Sequence, residues 1–235
     1  MTNLILAFDG DATSAFGKDE LQTAVEIARI GCWGAKIQKP IFGHTYPGTT
    51  EVLHSLGYKV ILDWKLTEIS NSVDRLLCWA QSVGIDFNTC RTDEESQFGL
   101  EDALKKNRSR AERIIGVALF SSLTNKMLVE RTGKTREDII VPRIKWSHAQ
   151  GIRRFVTPGE DVGIYKEYAP GSELFLVGMR AEKIKGDDQK LAVTPEIVEK
   201  LGVFATIFGR PVTTEDDPVA AFRRCSDLIK AAANP

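Results

Sequence analysis

Two residues in the stretch ILDWKLTEIS, 61–70, carry opposite charges two positions apart: Asp63 and Lys65. They follow the apolar run 60–62, and a third charge, Glu68, comes three residues later. Side chains alternate across a strand, so Asp63 and Lys65 share a face. A carboxylate beside an ammonium at the end of a buried strand can do one of two things. It closes the top of a core as an ion pair, or it places an acid and a base at the mouth of a site. Charges at other strand ends favour the site, with Lys36 in GAKIQ (34–38) and Asp9 at the end of LILAFD (4–9). A structural ion pair does not require such an accumulation on one rim.

A second group of residues has the chemistry to hold an anion. GMRAEKIKGDDQK (178–190) and FGRP (208–211) place Gly186, Gly209, a glutamine and two arginines near the last strands. Gly186 and Gly209 permit close backbone approach. Gln189 is a neutral donor, and the planar forks of Arg180 and Arg210 match phosphate oxygens two at a time. Lys183, Lys185 and Lys190 read as a solvated polar face.

The elements that must position these groups recur along the chain. Short runs rich in β-branched or aromatic residues occur at 4–8, 34–38, 58–62, 85–90, 113–120, 153–157, 173–178 and 203–209. Between them, apolar residues at three- and four-residue steps predict helices, among them 19–30, 68–83, 138–150 and 216–232. In the first of these, Leu21, Ala24, Val25, Ala28 and Ile30 fall largely on one face. Asp216 or Asp217 is placed to cap the last, with Pro218 in its first turn. Gly31, Gly57, Gly84, Gly151 and Gly202 stand where a left-handed C-cap would turn the chain back into a strand. Eight strand–helix units imply parallel strands with helical crossovers. The expected fold is α/β, a (β/α)8 TIM barrel forming a single domain over residues 1–235. In such a barrel the chemistry lies at the C-terminal ends of the strands, and the loops after strands seven and eight often bind phosphate.

Composition narrows the partner. The 235 residues are 43% hydrophobic and 27% charged, with a net charge of −1. No broad basic field is available for nucleic acid or an anionic membrane, so the expected partner is a small molecule. Cys32, Cys78, Cys90 and Cys225 lie far apart, in neither a disulfide nor a zinc pattern. No basic leader and no apolar run of about 18 residues is present, so a cytoplasmic protein is expected.

The motifs together resemble the orotidine 5′-phosphate decarboxylase family, of the bacterial type, along almost the whole chain. The family's D-x-K-x-x-D-I-P-N-T reads here as DWKLTEISNS, from Asp63 to Ser72. Its strand-two lysine matches Lys36 in KIQKPIF, G-D-D-Q-K-R matches GDDQKL (186–191), and V-G-R-P-I-T matches IFGRPVT (207–213). The D-D-Q-K and G-R-P pair at this separation is specific, whereas D-x-K-x-x-acid is shared across a wider group of barrels. The resemblance implies decarboxylation of orotidine 5′-monophosphate to UMP without cofactor or metal. Lys65 would protonate the ring carbon, Asp63 would sit against the departing carboxylate, and Lys36 would fix Asp63 and the ribose. It further implies a homodimer in which Glu68 and Ser72 reach the neighbouring subunit's site. Asp9 would hold a ribose hydroxyl, and Ser121 in ALFSSL the pyrimidine edge, with Ser122 as the alternative. Arg180, Gln189, Gly209 and Arg210 would hold the 5′-phosphate.

The chain departs from the family in three places. Glu68 stands for aspartate and Ser70 for proline, and CRTDEES (90–96) replaces a histidine-alanine-glycine-glycine-like run. Two alternatives therefore stay beside the decarboxylase. One is a diverged relative acting on another phosphorylated nucleotide or sugar, and the other a non-catalytic nucleotide-phosphate binder. Related barrels acting on keto-sugar phosphates use magnesium and a further acid on strand two, where Gln38 stands here. An aldolase using Lys65 as nucleophile is disfavoured by the acids around it. GKT at 133–135 lacks the earlier glycine of a P-loop and reads as a turn after a helix. His44, His54 and His148 have no metal-ligand spacing, Trp64 is expected to pack away from the charged pair, and Asp93, Glu94 and Glu95 are expected in a solvated loop.

Overall fold

The computed structural model describes residues 2–8, 20–179 and 193–233. Eight parallel strands close into a barrel in the order β1 to β8, with β1 pairing both β2 and β8. The strands are β1 (Asn3–Phe8), β2 (Gly34–Ile37), β3 (Lys59–Leu66), β4 (Phe87–Arg91), β5 (Ile114–Val117), β6 (Arg154–Pro158), β7 (Glu173–Val177) and β8 (Ala205–Phe208). All eight overlap the runs read from the sequence, and β3 runs four residues beyond its run, to Leu66. The run 113–120 is shorter as a strand, because β5 ends at Val117 and the chain then turns out into a loop.

Alternation along the strands sorts the side chains into two layers. Leu4, Leu6 and Phe8, Ala35 and Ile37, and Val60 and Leu62 face the helices and join the larger core. Ile5, Ala7, Ile61, Ile115, Phe175, Ala205 and Ile207 fill the barrel interior. By the same parity Lys36 and Asp63 point inward. Trp33, Phe87, Phe175 and Phe204 pack against one another near the N-terminal strand ends, at centroid distances of 5.3–6.4 Å. This aromatic floor seals one end of the barrel and leaves the other to polar groups.

The four helices read from the sequence are present, with ends within two residues of those expected. The five glycines expected after helices have φ between +55° and +102°. Helix Glu20–Ile30 buries Ala24 and Ile27, whereas Leu21 at its start is 43% exposed. Gly133 caps helix Asn125–Thr132, and Thr135 opens helix Arg136–Ala149 in a capping box with Asp138, so GKT is a helix–helix turn. Asp217 caps helix Pro218–Ala233 by accepting from the Ala220 N–H at 2.9 Å. Among the described residues no helix is long and apolar enough to cross a membrane.

Two expectations are corrected. Asp93, Glu94 and Glu95 are not a solvated loop. Asp93 is the N-cap of helix Glu94–Lys106, accepting from the Ser96 N–H at 3.0 Å, and Glu94 and Glu95 fill its first turn, where acids meet the positive end of the helix dipole. The strand carrying Asp63 and Lys65 is also not regular. Leu62 pairs with Asn88 and Leu66 with Cys90, so Asp63, Trp64 and Lys65 lie opposite the single residue Thr89. Such a bulge bends the strand and re-aims its side chains.

Candidate active site

A cavity of about 420 Å³ opens at the C-terminal end of the barrel, within the size range of small-molecule sites. It is lined by Lys36, Asp63, Lys65, Ser121, Gly209 and Arg210, six of the residues picked out by sequence. The charged pair and the Gly-Arg pair, 144 positions apart between Lys65 and Gly209, therefore share one space.

Asp63 is the hub. Its Oδ2 accepts from Lys36 Nζ at 2.7 Å and from Lys65 Nζ at 2.8 Å. Its Oδ1 accepts from the Thr89 hydroxyl at 2.8 Å. Burial pushes the Asp63 carboxyl up, but the ammonium groups of Lys36 and Lys65 outweigh it and hold the pKa at about 2. Lys36 is itself buried, its ammonium made tolerable by Asp63.

Lys65 reaches this hub from a left-handed backbone, with φ +49°. That conformation is uncommon outside glycine and costs on the order of 1 kcal/mol or more. The Lys65 N–H donates to Thr89 Oγ1 at 2.9 Å, the same hydroxyl that donates to Asp63. One threonine thus fixes both the backbone of Lys65 and the carboxylate that its ammonium meets. Sequence reasoning missed Thr89. It carries no charge, and only the bulge brings three residues of β3 against it. Trp64 turns outward, stacking on Trp79 with centroids 5.3 Å apart and donating from Nε1 to the Gln38 carbonyl at 2.9 Å.

Glu68 and Ser72 are not brought to this cavity. Glu68 is exposed and lines a separate depression with Ile69, Glu95 and Phe98, while Ser72 lies in the first turn of helix Ser70–Ser82. The Ser70 hydroxyl donates to Asp102 at 2.7 Å, which ties this turn to the neighbouring helix without a proline. Asp9, Arg180 and Gln189 lie outside the described residues, as do Gly186, Lys183, Lys185 and Lys190. Ser121 faces the cavity, beside Phe120. Among the described residues no group of three or more histidine, cysteine, aspartate or glutamate side chains could hold a metal ion. His54 bonds to Asp86 at 2.9 Å, and the four cysteines are free.

The fold is thus a parallel eight-stranded barrel with a lysine–aspartate–lysine array at its mouth and a Gly-Arg pair lining the same cavity. Residues 2–225 match the profile of the orotidine 5′-phosphate decarboxylase / HUMPS family, and the chain belongs to that family. It is 31% identical over 203 residues to an orotidine 5′-phosphate decarboxylase of Erythrobacter litoralis, covering 83% of this chain and 86% of the relative. The corresponding protein of Nitrosomonas eutropha is 29% identical over 202 residues, covering 84% and 86%. Among solved structures, orotidine 5′-phosphate decarboxylase from Lactobacillus acidophilus superposes with a TM-score of 0.69 at 19% identity, covering 97% of this chain and 99% of that one. An uncharacterized conserved protein from Geobacillus kaustophilus superposes with a TM-score of 0.63 at 21% identity, covering 96% and 99%. At these identities the structural likeness concerns the fold.

Proposed function

We infer that this protein decarboxylates orotidine 5′-monophosphate to UMP, acting as one (β/α)8 barrel domain over its whole length. The observation that carries the reading is the Lys65 ammonium, fixed by Asp63 in the cavity that also holds Ser121, Gly209 and Arg210. In the proposed step the bond between the pyrimidine ring carbon and its carboxylate breaks, and CO₂ leaves. The electron pair stays on the ring carbon, and a proton passes to it from Lys65 Nζ. Solvent then returns a proton to the lysine. A fixed ammonium aimed at a developing carbanion is an electrostatic contribution that needs no reorganisation during the reaction.

The remaining roles are those that the family resemblance implies. Asp63 faces the departing carboxylate, and Lys36 holds Asp63 and a ribose hydroxyl. Asp9 takes another hydroxyl, and Ser121 the pyrimidine edge. Arg180, Gln189, Gly209 and Arg210 grip the 5′-phosphate, and no cofactor takes part. Binding at the phosphate end supplies energy that is expressed at the reacting carbon.

A homodimer completes the site in this reading. Glu68 and Ser72 of each subunit serve the neighbouring cavity, and Ile69 and Phe98, 74% and 76% exposed beside Glu68, supply apolar surface for that contact. Spectrophotometric decay of orotidylate on addition of the purified protein tests the proposal. Turnover without added metal, abolished in Lys65→Ala, supports it. Binding of UMP with no turnover of orotidylate refutes it in favour of a nucleotide-phosphate binder. Turnover only of another phosphorylated nucleotide or sugar favours a diverged enzyme.

A further inference from the structure

Away from the lysine–aspartate array, a dense set of charges surrounds the loop that carries Ser121. Residues 118–124 join β5 to helix Asn125–Thr132, and three arginines reach this loop. Arg143, on helix Arg136–Ala149, donates from Nη1 to the Ala118 carbonyl at 2.8 Å. Its Nε and Nη2 donate to the two carboxylate oxygens of Glu94 at 3.1 and 2.6 Å. Arg136, seven residues earlier on the same helix, donates to the Leu123 carbonyl and pairs with the buried Asp161. The guanidinium of Arg91 stacks 4.3 Å from the centre of the Phe120 ring and pairs with Asp93.

The loop is thus held at its start, its middle and its end, and every cation has an acid. A connection between a strand and a helix needs no such frame. Phe120 and Ser121, which the frame encloses, both line the cavity. Two of the acids, Asp93 and Glu94, come from CRTDEES, so this segment is coupled to the neighbouring loop through Arg91 and Arg143. Arg143 is 13% exposed and Glu94 is 70% exposed. The acid reaches in from the surface to a guanidinium that the loop carbonyl alone would leave poorly compensated. Only a planar fork can serve the carboxylate and the carbonyl together.

The geometry points to Arg143, held by Glu94, as a positioning residue for selection of the base: through the Ala118 carbonyl it sets where Phe120 and Ser121 meet the ring end of a bound nucleotide. The inference rests on the orotidylate reading, which puts the ring at Ser121. Calorimetric titration of the full chain with UMP and with ribose 5-phosphate tests it, using wild type, Arg143→Lys and Glu94→Gln. The lysine keeps the charge and loses the fork. UMP affinity is expected to fall roughly tenfold in Arg143→Lys, short of the ~10²-fold that a 1 Å displacement of a reacting group can cost. Glu94→Gln is expected to move it in the same direction, and ribose 5-phosphate affinity is expected to hold within about twofold in both variants. Equal losses for both ligands, or no loss for either, overturn the inference while leaving the orotidylate reading intact. Failure of the wild type to bind UMP while it binds ribose 5-phosphate overturns that reading and the inference with it. Should Arg143→Lys not fold, Glu94→Gln, altered at an exposed acid, decides on the same criteria.

Discussion

Replacing Thr89 with valine removes one hydroxyl and leaves the volume of the side chain almost unchanged. The hydroxyl makes two contacts, donating to Asp63 Oδ1 at 2.8 Å and accepting from the Lys65 N–H at 2.9 Å, and Thr89 is 2% exposed. A hydrogen bond to a charged group contributes about 1.5–3 kcal/mol, and a buried donor left without a partner costs about 1–3 kcal/mol. Partial relaxation of the bulge offsets part of this, so the expected loss of stability is about 2–4 kcal/mol. For a chain of this size that lowers Tm by roughly 4–16 °C. The larger consequence is for activity. Lys65 has φ +49°, and the Thr89 hydroxyl is the backbone restraint that the bulge offers it. Released from it, the ammonium shifts relative to the ring carbon, and a shift of about 1 Å costs ~10²-fold in kcat. Steady-state decarboxylation of orotidylate measures the effect, with Thr89→Ser, which keeps the hydroxyl, remaining near wild type. A folded Thr89→Val protein with kcat within about twofold of wild type would refute the argument that this hydroxyl positions Lys65.

Two further outcomes follow from the same geometry. Asp63 ionises at about 2 in the fold against an ordinary 3.8, so its contribution of about 2 kcal/mol is complete above pH 4 and is lost as pH falls from about 4 to about 2. Denaturant titrations across pH 2–7 should accordingly show the stability gap between wild type and Asp63→Asn narrowing below pH 4, and a constant gap would contradict it. At the proposed subunit contact, Phe98→Asp puts a charge into an apolar patch and is expected to raise the dimer Kd more than about thirtyfold, read by sedimentation equilibrium. A wild-type chain that stays monomeric at micromolar concentration would dispose of that contact.

The architecture was legible because the strands repeat a short apolar run and five of the return turns are marked by the glycines read from the sequence. Half of the site was legible for a related reason. Charges at apolar strand ends are costly unless used, and this singled out Lys36, Asp63 and Lys65 before any coordinates. What could not be read was the way in which they meet. Alternation assumes a regular pleat, whereas three residues of β3 stand opposite Thr89. A bulge has no signature in ILDWKLTEIS. CRTDEES was misread because three adjacent acids look solvated, yet an aspartate before two further acids and an apolar run is also how a helix starts. Gly99 was a missed signal of another kind. Glycine inside a helix costs up to about 1 kcal/mol, and here it lets helix Glu94–Lys106 approach the turn at Glu68, whose carbonyl a methyl at position 99 would overlap.

In this array one carboxylate oxygen serves two cations. Lys36 and Lys65 both donate to Asp63 Oδ2, while Asp63 Oδ1 accepts from the Thr89 hydroxyl. In the proposed reaction orotidylate brings two anionic ends to a cavity lined by both Lys65 and Arg210. The ring carboxylate then competes with Asp63 for Lys65. When CO₂ departs, its charge passes to the carbon against which Lys65 is already held, so the ammonium keeps an anionic partner through the whole step. Lys36 needs no such exchange: it remains on Asp63, which keeps the aspartate ionised and in place while Lys65 gives up its proton.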